Sequence, residues 1–370
     1  MKKLITLVLS AAMLLSLLCV TAFAETSTDC PGGDSCTHVA EITADGTTTH
    51  YDTLAEAVAA VSADGTQTTI ILLRDAEGSG VKVKDGQNII FDLATHTYKV
   101  TDTVGSSGTE TNGFQLLQGS TVTFTNGTLT SETAQILIQN YCNLTLDGVT
   151  VDGTSLAGAK YAVSNNNGNV LIKNSVIKAA DGGVAFDVYS FGSYTGANVT
   201  VENSVVDGKI EVGASNGANT DTLELQIVSG TFTGPLDVTA GLAEEVTITG
   251  GTFSEDVSPY IDDSEVAEVL IDNTYYVGDA ATAAIKALRP GQQVTVVAGS
   301  VKIGFLTLEA GKTYTYPKSN PGSGSSNSNN NSGTTITQSP KTADAGIAVY
   351  GLMSVMSLLG MGYVSKKKSR

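Results

Sequence analysis

An all-β solenoid, a parallel β-helix, is the fold that this 370-residue sequence predicts, and three observations carry the prediction. The first is a pattern repeated six times: apolar, any residue, apolar, then an apolar residue five positions on. The copies are Val122/Phe124/Leu129, Leu144/Leu146/Val151, Val170/Ile172/Ile177, Val199/Val201/Val206, Leu225/Ile227/Phe232 and Val246/Ile248/Phe253, with starts 22, 26, 29, 26 and 21 residues apart. The second is the alternation inside each copy, which suits a strand with one buried face. The third is the column two residues past the second apolar position: Asn126, Gly148, Asn174, Asn203, Ser229 and Gly250. Asn and Gly tolerate left-handed backbone, so this column reads as a tight bend between two strands.

A strand, a bend, a second strand and a return loop make one coil. Such a coil cannot close its own core; stacking on the next buries the Val, Ile, Leu and Phe columns. Variable spacing puts insertions in the return loops, such as 189–196 and 214–219. An antiparallel sandwich also suits strands and turns at this spacing, but a bend recurring at one column favours the solenoid.

Ahead of the repeats, Thr53–Val61 has apolar residues at helical spacing, followed by Gly65. Thr69–Leu73, Val81–Val83 and Asn88–Leu93 then read as strands. A short amphipathic helix feeding the first strand resembles the N-terminal cap of pectate-lyase-like right-handed β-helices, over roughly residues 51–255. That resemblance implies a right-handed coil, with the helix covering the open end of the core and protecting the first sheet edges.

Past Glu255 the pattern breaks. Residues 256–276 read as a turn-rich closing segment and Ala280–Leu288 as a short helix. Gly291–Val297 then reads as a strand, with two more near Gly304–Leu308 and Lys312–Tyr316. Residues 256–316 are therefore expected to form a C-terminal cap or small β-rich module.

The two ends give an address. Lys2-Lys3, the apolar stretch Leu4–Val20 and Ala22-Phe23-Ala24 form a secretory signal peptide over 1–24. Residues 25–50 are read as an N-terminal extension. Residues 317–338, rich in Ser, Asn and Gly, lack the apolar content to order and read as a flexible tether. In 339–370, Ser339-Pro340-Lys341-Thr342-Ala343 precedes an uncharged apolar run over 345–364, long enough to cross a bilayer as a helix. Lys366, Lys367, Lys368 and Arg370 follow, the side expected to stay in the cytoplasm. This order resembles the LPxTG cell-wall sorting signal of Gram-positive bacteria, with Ser339 in place of Leu and Ala343 in place of Gly. The resemblance implies a sortase that cuts after Thr342 and joins it to the wall precursor. The bland alternative is a plain membrane anchor. Either reading puts the body on the outside of a Gram-positive cell.

Net charge is −17, and about −22 once Lys2, Lys3 and the tail's four bases and Asp344 are removed. That acidity argues against nucleic-acid partners. Outside the signal peptide the cysteines are Cys30, Cys36 and Cys142. Export permits a Cys30–Cys36 disulfide; with His38 and His50 the same pair could instead hold zinc. Cys142 reads as a small buried hydrophobe.

The lyases and hydrolases among pectate-lyase-like proteins imply a search for their machinery. Arg74 and Arg289, the arginines of the body, lie outside the six repeats, and His38, His50 and His96 all precede them. No His-Gly occurs. Asp147, Asp152, Asp181, Asp187 and Asp207 come from neighbouring coils, and if Asp152 and Asp207 share a column, Lys178 lies between them. As outward positions alternating with core residues, such carboxylates read first as solvated surface; they could also bind calcium or serve glycoside hydrolysis. No other cofactor is expected. Tyr189, Phe191 and Tyr194 cluster in one insertion, near Tyr161, as an aromatic platform for a sugar or as cover for the β-helix flank. The leading expectation is a non-catalytic, surface-displayed module, adhesin-like or glycan-binding. A polysaccharide lyase or glycoside hydrolase, or a structural surface component, are the alternatives.

Overall fold

The computed structural model describes residues 37–158 and 160–317. The signal peptide, Cys30, Cys36, the tether from 318 onward, the 339–343 motif and the 345–364 run lie outside the described residues. No helix among the described residues is long and apolar enough to cross a membrane.

The body is a parallel β-helix of about seven coils. The six sequence repeats are its rungs, in the register the pattern demands. Val122 pairs with Leu144, Leu144 with Val170, Val170 with Val199, Val199 with Leu225 and Leu225 with Val246. Beyond the bend, Leu129, Val151, Ile177, Val206, Phe232 and Phe253 form a second column in the same way. These two columns define a first and a second sheet, continuous across the bend. Two earlier coils extend them: Ile89 and Phe91 pair with Val122 and Phe124, and Tyr98 with Leu129, and before them Ile70 pairs with Phe91 and Ala76 with Tyr98.

The bend is left-handed where the sequence places it in four coils, with φ of 58° at Asn126, 69° at Gly148, 52° at Asn174 and 43° at Asn203. In the last two it moves one residue on. Ser229 and Gly250 are not left-handed; Gly230 (φ 141°) and Gly251 (φ 129°) are instead. A Cβ on Gly230 would sit 2.4 Å from the Ser204 carbonyl oxygen, so this position admits only glycine.

The return segment is not a loop. It contains a third parallel sheet, running through Val81–Val83, Thr109–Leu116, Ile136–Asn140, Tyr161–Asn165, Val184–Ser190, Lys209–Ala214 and Leu236–Val238. Insertions sit at the corner after this third strand, as in the residues between Ser190 and Gly196 and between Ala214 and Glu224.

Stacking makes one apolar column from Val39 to Val277. In-register coils bring like onto like. The rings of Phe91 and Phe124 stack 4.8 Å apart at 11°, and those of Phe232 and Phe253 stack 4.8 Å apart at 10°, the strand-to-strand spacing itself. Phe114, from the third sheet, closes edge-on against Phe91 and Phe124. At one interior corner Asn140 donates from Nδ2 to Asn165 Oδ1 at 3.2 Å, and Asn165 to the Asp187 carbonyl at 2.9 Å. Cys142 is a buried free cysteine, and burial pushes its thiol up to about 11.

The helix Leu54–Ala60 starts at the Thr53 N-cap, with a capping box to Glu56. It buries Leu54, Ala57 and Val58 over the open end. Gln87 ties it down by donating from Nε2 to the carbonyls of Val58 and Val61 at 2.9 and 3.0 Å. The helix does not cover the first sheet's edge alone. Within the stretch read as an extension, Ala40–Ala44 and Thr47–Tyr51 form a hairpin, and Ala40–Ile42 pair antiparallel with Ile70–Leu72. Its turn, Asp45-Gly46, has φ of 50° and 77°, the two-residue turn that Asp-Gly favours.

At the far end Thr274–Val277 pairs antiparallel with Gly251–Phe253 and ends the solenoid. The segment read as turn-rich therefore holds a hairpin, Glu268–Ile271 with Thr274–Val277. The strands Gln293–Ala298 and Thr313–Thr315, the helix Asp279–Lys286 and the hairpin Ser300–Ile303/Leu306–Glu309 complete a module with its own apolar core. Glu268 is buried where module meets coil. Its Oε1 accepts from the Val257 amide at 2.9 Å, and burial pushes its carboxyl up to about 7.

Phe124 fills the centre of the aromatic stack, so Phe124→Ala is expected to lower unfolding free energy by about 3–5 kcal/mol. Urea unfolding followed by circular dichroism measures this; a loss under about 1 kcal/mol, outside the range for a buried ring, would mean that the stack does not hold the coils.

Candidate binding face on the third sheet

Two inward columns of the third sheet flank one outward column. Phe114, Ile138, Val163, Phe186 and Ile210 face the core on one side, and Leu116, Asn140, Asn165, Val188 and Val212 on the other. The residues between them point outward by the period-2 pleat: Lys82, Gln115, Gln139, Ser164, Asp187, Glu211 and Asp237, one per coil. An outward column should be wet. Yet Gln115, Gln139, Ser164 and Asp187 are buried, Asp187 to 4% exposure.

The cover is aromatic. Tyr161 donates its hydroxyl to Glu211 Oε2 at 3.3 Å. Tyr161 pairs with Val184 and Val184 with Lys209, so this bond spans two coils and passes over the coil of Asp187. Lys209 pairs with the other oxygen of Glu211. On the opposite flank, Tyr189 lies across Gly213 of the next coil, where an added Cβ would come within 2.8 Å of the ring. Tyr194, from the insertion, packs on Tyr141 with ring centroids 4.7 Å apart.

Beneath this cover the polar groups are joined. Gln139 donates to Asn166 Oδ1 at 2.7 Å and to Ser164 Oγ at 3.3 Å. Asn166 donates to the Tyr189 carbonyl at 3.2 Å. Asp187 accepts from the Asn165 amide at 2.6 Å and from Ser164 Oγ at 3.1 Å. Burial pushes the Asp187 carboxyl up to about 7; the two hydrogen bonds pull it down and the Glu211 charge adds to the rise. Burial, then the charges of Glu211 and Asp187, pushes the Tyr161 phenol up to about 12. Tyr141 is raised by burial, with Tyr194 and Asp187 adding.

The aromatic set read from the sequence is thus gathered on and beside one face. Tyr161, Tyr189 and Tyr194 line it, and Phe191 stands 58% exposed in the adjoining loop. Sequence reasoning missed Tyr141 and the amides of Gln139 and Asn166. The signal was available in phase: Gln139 and Tyr141 lie two apart on the outward side.

The five aspartates do not converge. Asp147 lies outward on the first sheet, 3.1 Å from Lys173 and accepting from Asn174 at 3.1 Å. Asp152, Lys178 and Asp207 do share a column, on the second sheet. Asp152 accepts from the amide and hydroxyl of Thr154, at 3.1 and 2.6 Å, and Asp207 from Thr233 at 2.6 Å. Asp181 is exposed in a turn. Of the five, Asp187 alone reaches the third sheet. The sequence placed them in neighbouring coils but could not assign their sheets, because the third strand reads as loop. Among the described residues no group of three or more His, Cys, Asp or Glu is placed to hold a metal ion.

Comparison with known proteins agrees with this geometry. Residues 60–232 match the family described as Right handed beta helix region. Together with the parallel rungs, that match makes the fold a right-handed parallel β-helix. No curated protein and no solved structure matches the chain.

Asp187 binds its proton more tightly folded than unfolded, since its folded value of about 7 stands above the ordinary 3.8. Stability therefore falls as pH rises from about 4 through about 7. Asp187→Asn is expected to flatten this fall in unfolding midpoint, leaving the smaller share of Glu268. An unchanged pH profile in the variant would show that the carboxyl is not held protonated.

Proposed function

We propose that this chain is a surface-displayed, non-catalytic β-helix that binds glycan along the outer face of its third sheet. The observation that carries this reading is the set of half-buried tyrosine rings on that face, Tyr141, Tyr161, Tyr189 and Tyr194, held over a buried amide and hydroxyl network of Gln139, Ser164 and Asn166. Sugars present apolar ring faces edged with hydroxyls, and tyrosines fixed from beneath offer an aromatic platform for the one and phenol hydroxyls for the other. Display rests on the sequence of the two ends: the signal peptide at 1–24, the tether, and the Ser339–Ala343 motif ahead of the 345–364 run.

One observation favours the hydrolase reading. Asp187 and Glu211 are paired on adjacent rungs, about 4.8 Å apart at the backbone, close to the carboxyl spacing of retaining glycosidases. Against it, both oxygens of Asp187 are hydrogen-bonded within the protein and Tyr161 roofs it. A carboxyl so enclosed cannot reach an anomeric carbon.

Glycan-array binding of the full chain tests the proposal. Tyr189→Ala and Tyr194→Ala are each expected to weaken binding at least about tenfold, as anchor residues do, while Asp147→Asn, on another sheet, leaves it unchanged. Binding insensitive to both tyrosines would remove this face from the function. Release of reducing ends from any bound glycan, abolished by Asp187→Asn, would establish the hydrolase instead.

For display, Thr342→Ala is expected to move the protein from the wall fraction to the membrane fraction. Unchanged partition would point to a plain membrane anchor.

A further inference from the structure

Four Asn-Gly pairs occur in the sequence: Asn112-Gly113, Asn126-Gly127, Asn167-Gly168 and Asn216-Gly217. Such a pair can react with itself. Glycine leaves its amide nitrogen unshielded by a Cβ and its backbone free to turn, and that nitrogen can attack the side-chain carbonyl carbon of the asparagine before it. The reaction needs a backbone that rotates and an amide not held in a hydrogen bond. The fold treats the four pairs differently.

Three pairs are held. Asn112 is buried, and Gly113 follows it inside the strand Thr109–Leu116. A Cβ added to Gly113 would come within 2.7 Å of the Leu137 carbonyl oxygen, so the next coil presses on this glycine. Asn126 donates from Nδ2 to Asp92 Oδ1 at 3.2 Å, and Gly127 lies within Thr121–Ser131, a strand paired on both sides. Asn167 donates from Nδ2 to the Tyr141 carbonyl at 3.0 Å, and Gly168 is paired with Ala197. Reaction at any of these three requires the ladder to open locally first.

Asn216-Gly217 is not held. It forms a turn in the insertion that follows Lys209–Ala214. Ala218 donates its amide to the Ser215 carbonyl at 3.0 Å, and Gly217 has φ of 75°, the geometry of a type II turn with Asn and Gly at its centre. Both residues are exposed. Among the described residues, neither the Asn216 side chain nor the Gly217 amide has a hydrogen-bond partner. A Cβ added to Gly217 would meet nothing within 4 Å, so no other part of the chain confines the turn.

We propose that Asn216 is a modification site of this chain: in the folded protein it deamidates to aspartate and isoaspartate, while the other three Asn-Gly pairs persist. The Gly217 nitrogen forms a bond to Asn216 Cγ, the bond from Cγ to Nδ2 breaks, and ammonia leaves carrying the Gly217 amide proton. Water then opens the resulting succinimide ring at either carbonyl. Nothing is oxidised or reduced. The change falls beside the candidate face. Ser215 donates its amide to the Ser190 carbonyl at 2.9 Å, and Gly192 donates its amide to Ser215 Oγ at 3.4 Å, so this insertion is tied to the loop that carries Phe191. Deamidation sets a new negative charge next to that tie, and the isoaspartate form also lengthens the main chain there by one methylene. The reaction does not depend on what the face binds.

The test is peptide mapping of the full chain held at mildly alkaline pH, with mass-spectrometric fragmentation that separates aspartate from isoaspartate. Cleavage after Glu211 and Glu224 releases the segment 212–224, which contains Asn216, and heavy-oxygen water marks the carboxyl that forms. Conversion at Asn216 is expected to run at least about tenfold faster than at Asn112, Asn126 or Asn167, because a local opening of modest cost slows a reaction by that factor. In denaturant the four pairs should convert at like rates, which separates protection by the fold from any difference in local sequence. Asn216→Gln should remove the signal from 212–224. Two results would each overturn the proposal: Asn216 intact in the folded chain after the denatured chain has converted, or conversion at one of the other three pairs in the folded chain as fast as at Asn216.

Discussion

Parallel stacking at one strand spacing is the constraint on which the rest of this molecule depends. Each side chain that faces inward meets the equivalent side chain of the next coil about 4.8 Å away. A column must therefore tolerate its own company. Val, Ile and Leu do so along most of the core, and the flat rings of Phe91 and Phe124, or of Phe232 and Phe253, do so by stacking. The same rule works outside. Lys173 falls beside Asp147, and Lys178 between Asp152 and Asp207, so like charges are separated there; on the third sheet Asp187, Glu211 and Asp237 stack on successive rungs instead, with Lys209 paired to Glu211.

The first two sheets were legible because their pattern is carried by side chains with a fixed spacing and a bend between them. Leu129 lies five positions past Phe124, and four of the six bends are left-handed at the expected residue. The third sheet was not legible. Its strands sit at variable distances from that pattern, and its outward residues are buried under tyrosines, so Ile136–Asn140 and Tyr161–Asn165 read as apolar-polar mixtures without alternation. The N-terminal hairpin was readable in principle from Asp45-Gly46, flanked by β-prone residues. Tyr189 and Tyr194 of the candidate face were picked out with Phe191 as one aromatic insertion near Tyr161, and Tyr141 was missed. Their relation to Asp187 depended on knowing that Tyr161 and Glu211 are two coils apart on one face, which only the fold provides.

The ends of a solenoid need separate solutions, and this chain uses chemically different ones. At the start, an antiparallel hairpin takes up the edge of the first sheet while a capped helix seals the core. At the finish, Thr274–Val277 runs antiparallel along the second sheet and leads into a module with its own core. Each end turns the open parallel edge of one sheet into an antiparallel one. On those capped sheets, the first at the start and the second at the finish, a further parallel coil has no edge to extend.

The buried polar groups have a place in this logic. Sliding one coil by two residues past the next keeps every apolar residue inside, because side chains alternate with period 2. Hydrophobic burial alone cannot reject that slip. Groups that pair at one register can. Asn140 meets Asn165, Ser164 meets Asp187, and Asn203 donates to Asn174 at 2.9 Å across the bend. A two-residue slip would leave the Asp187 carboxyl beside Asn166 and the inward amide of Asn165 beside Phe186, with the Asn bend column out of line. Asp187 gives up solvation to be where it is, and its raised proton affinity is the measure of that cost. The register it defines also sets Tyr161 over Glu211 and Tyr189 over Gly213, so the interactions that align the coils are the ones that shape the outer face.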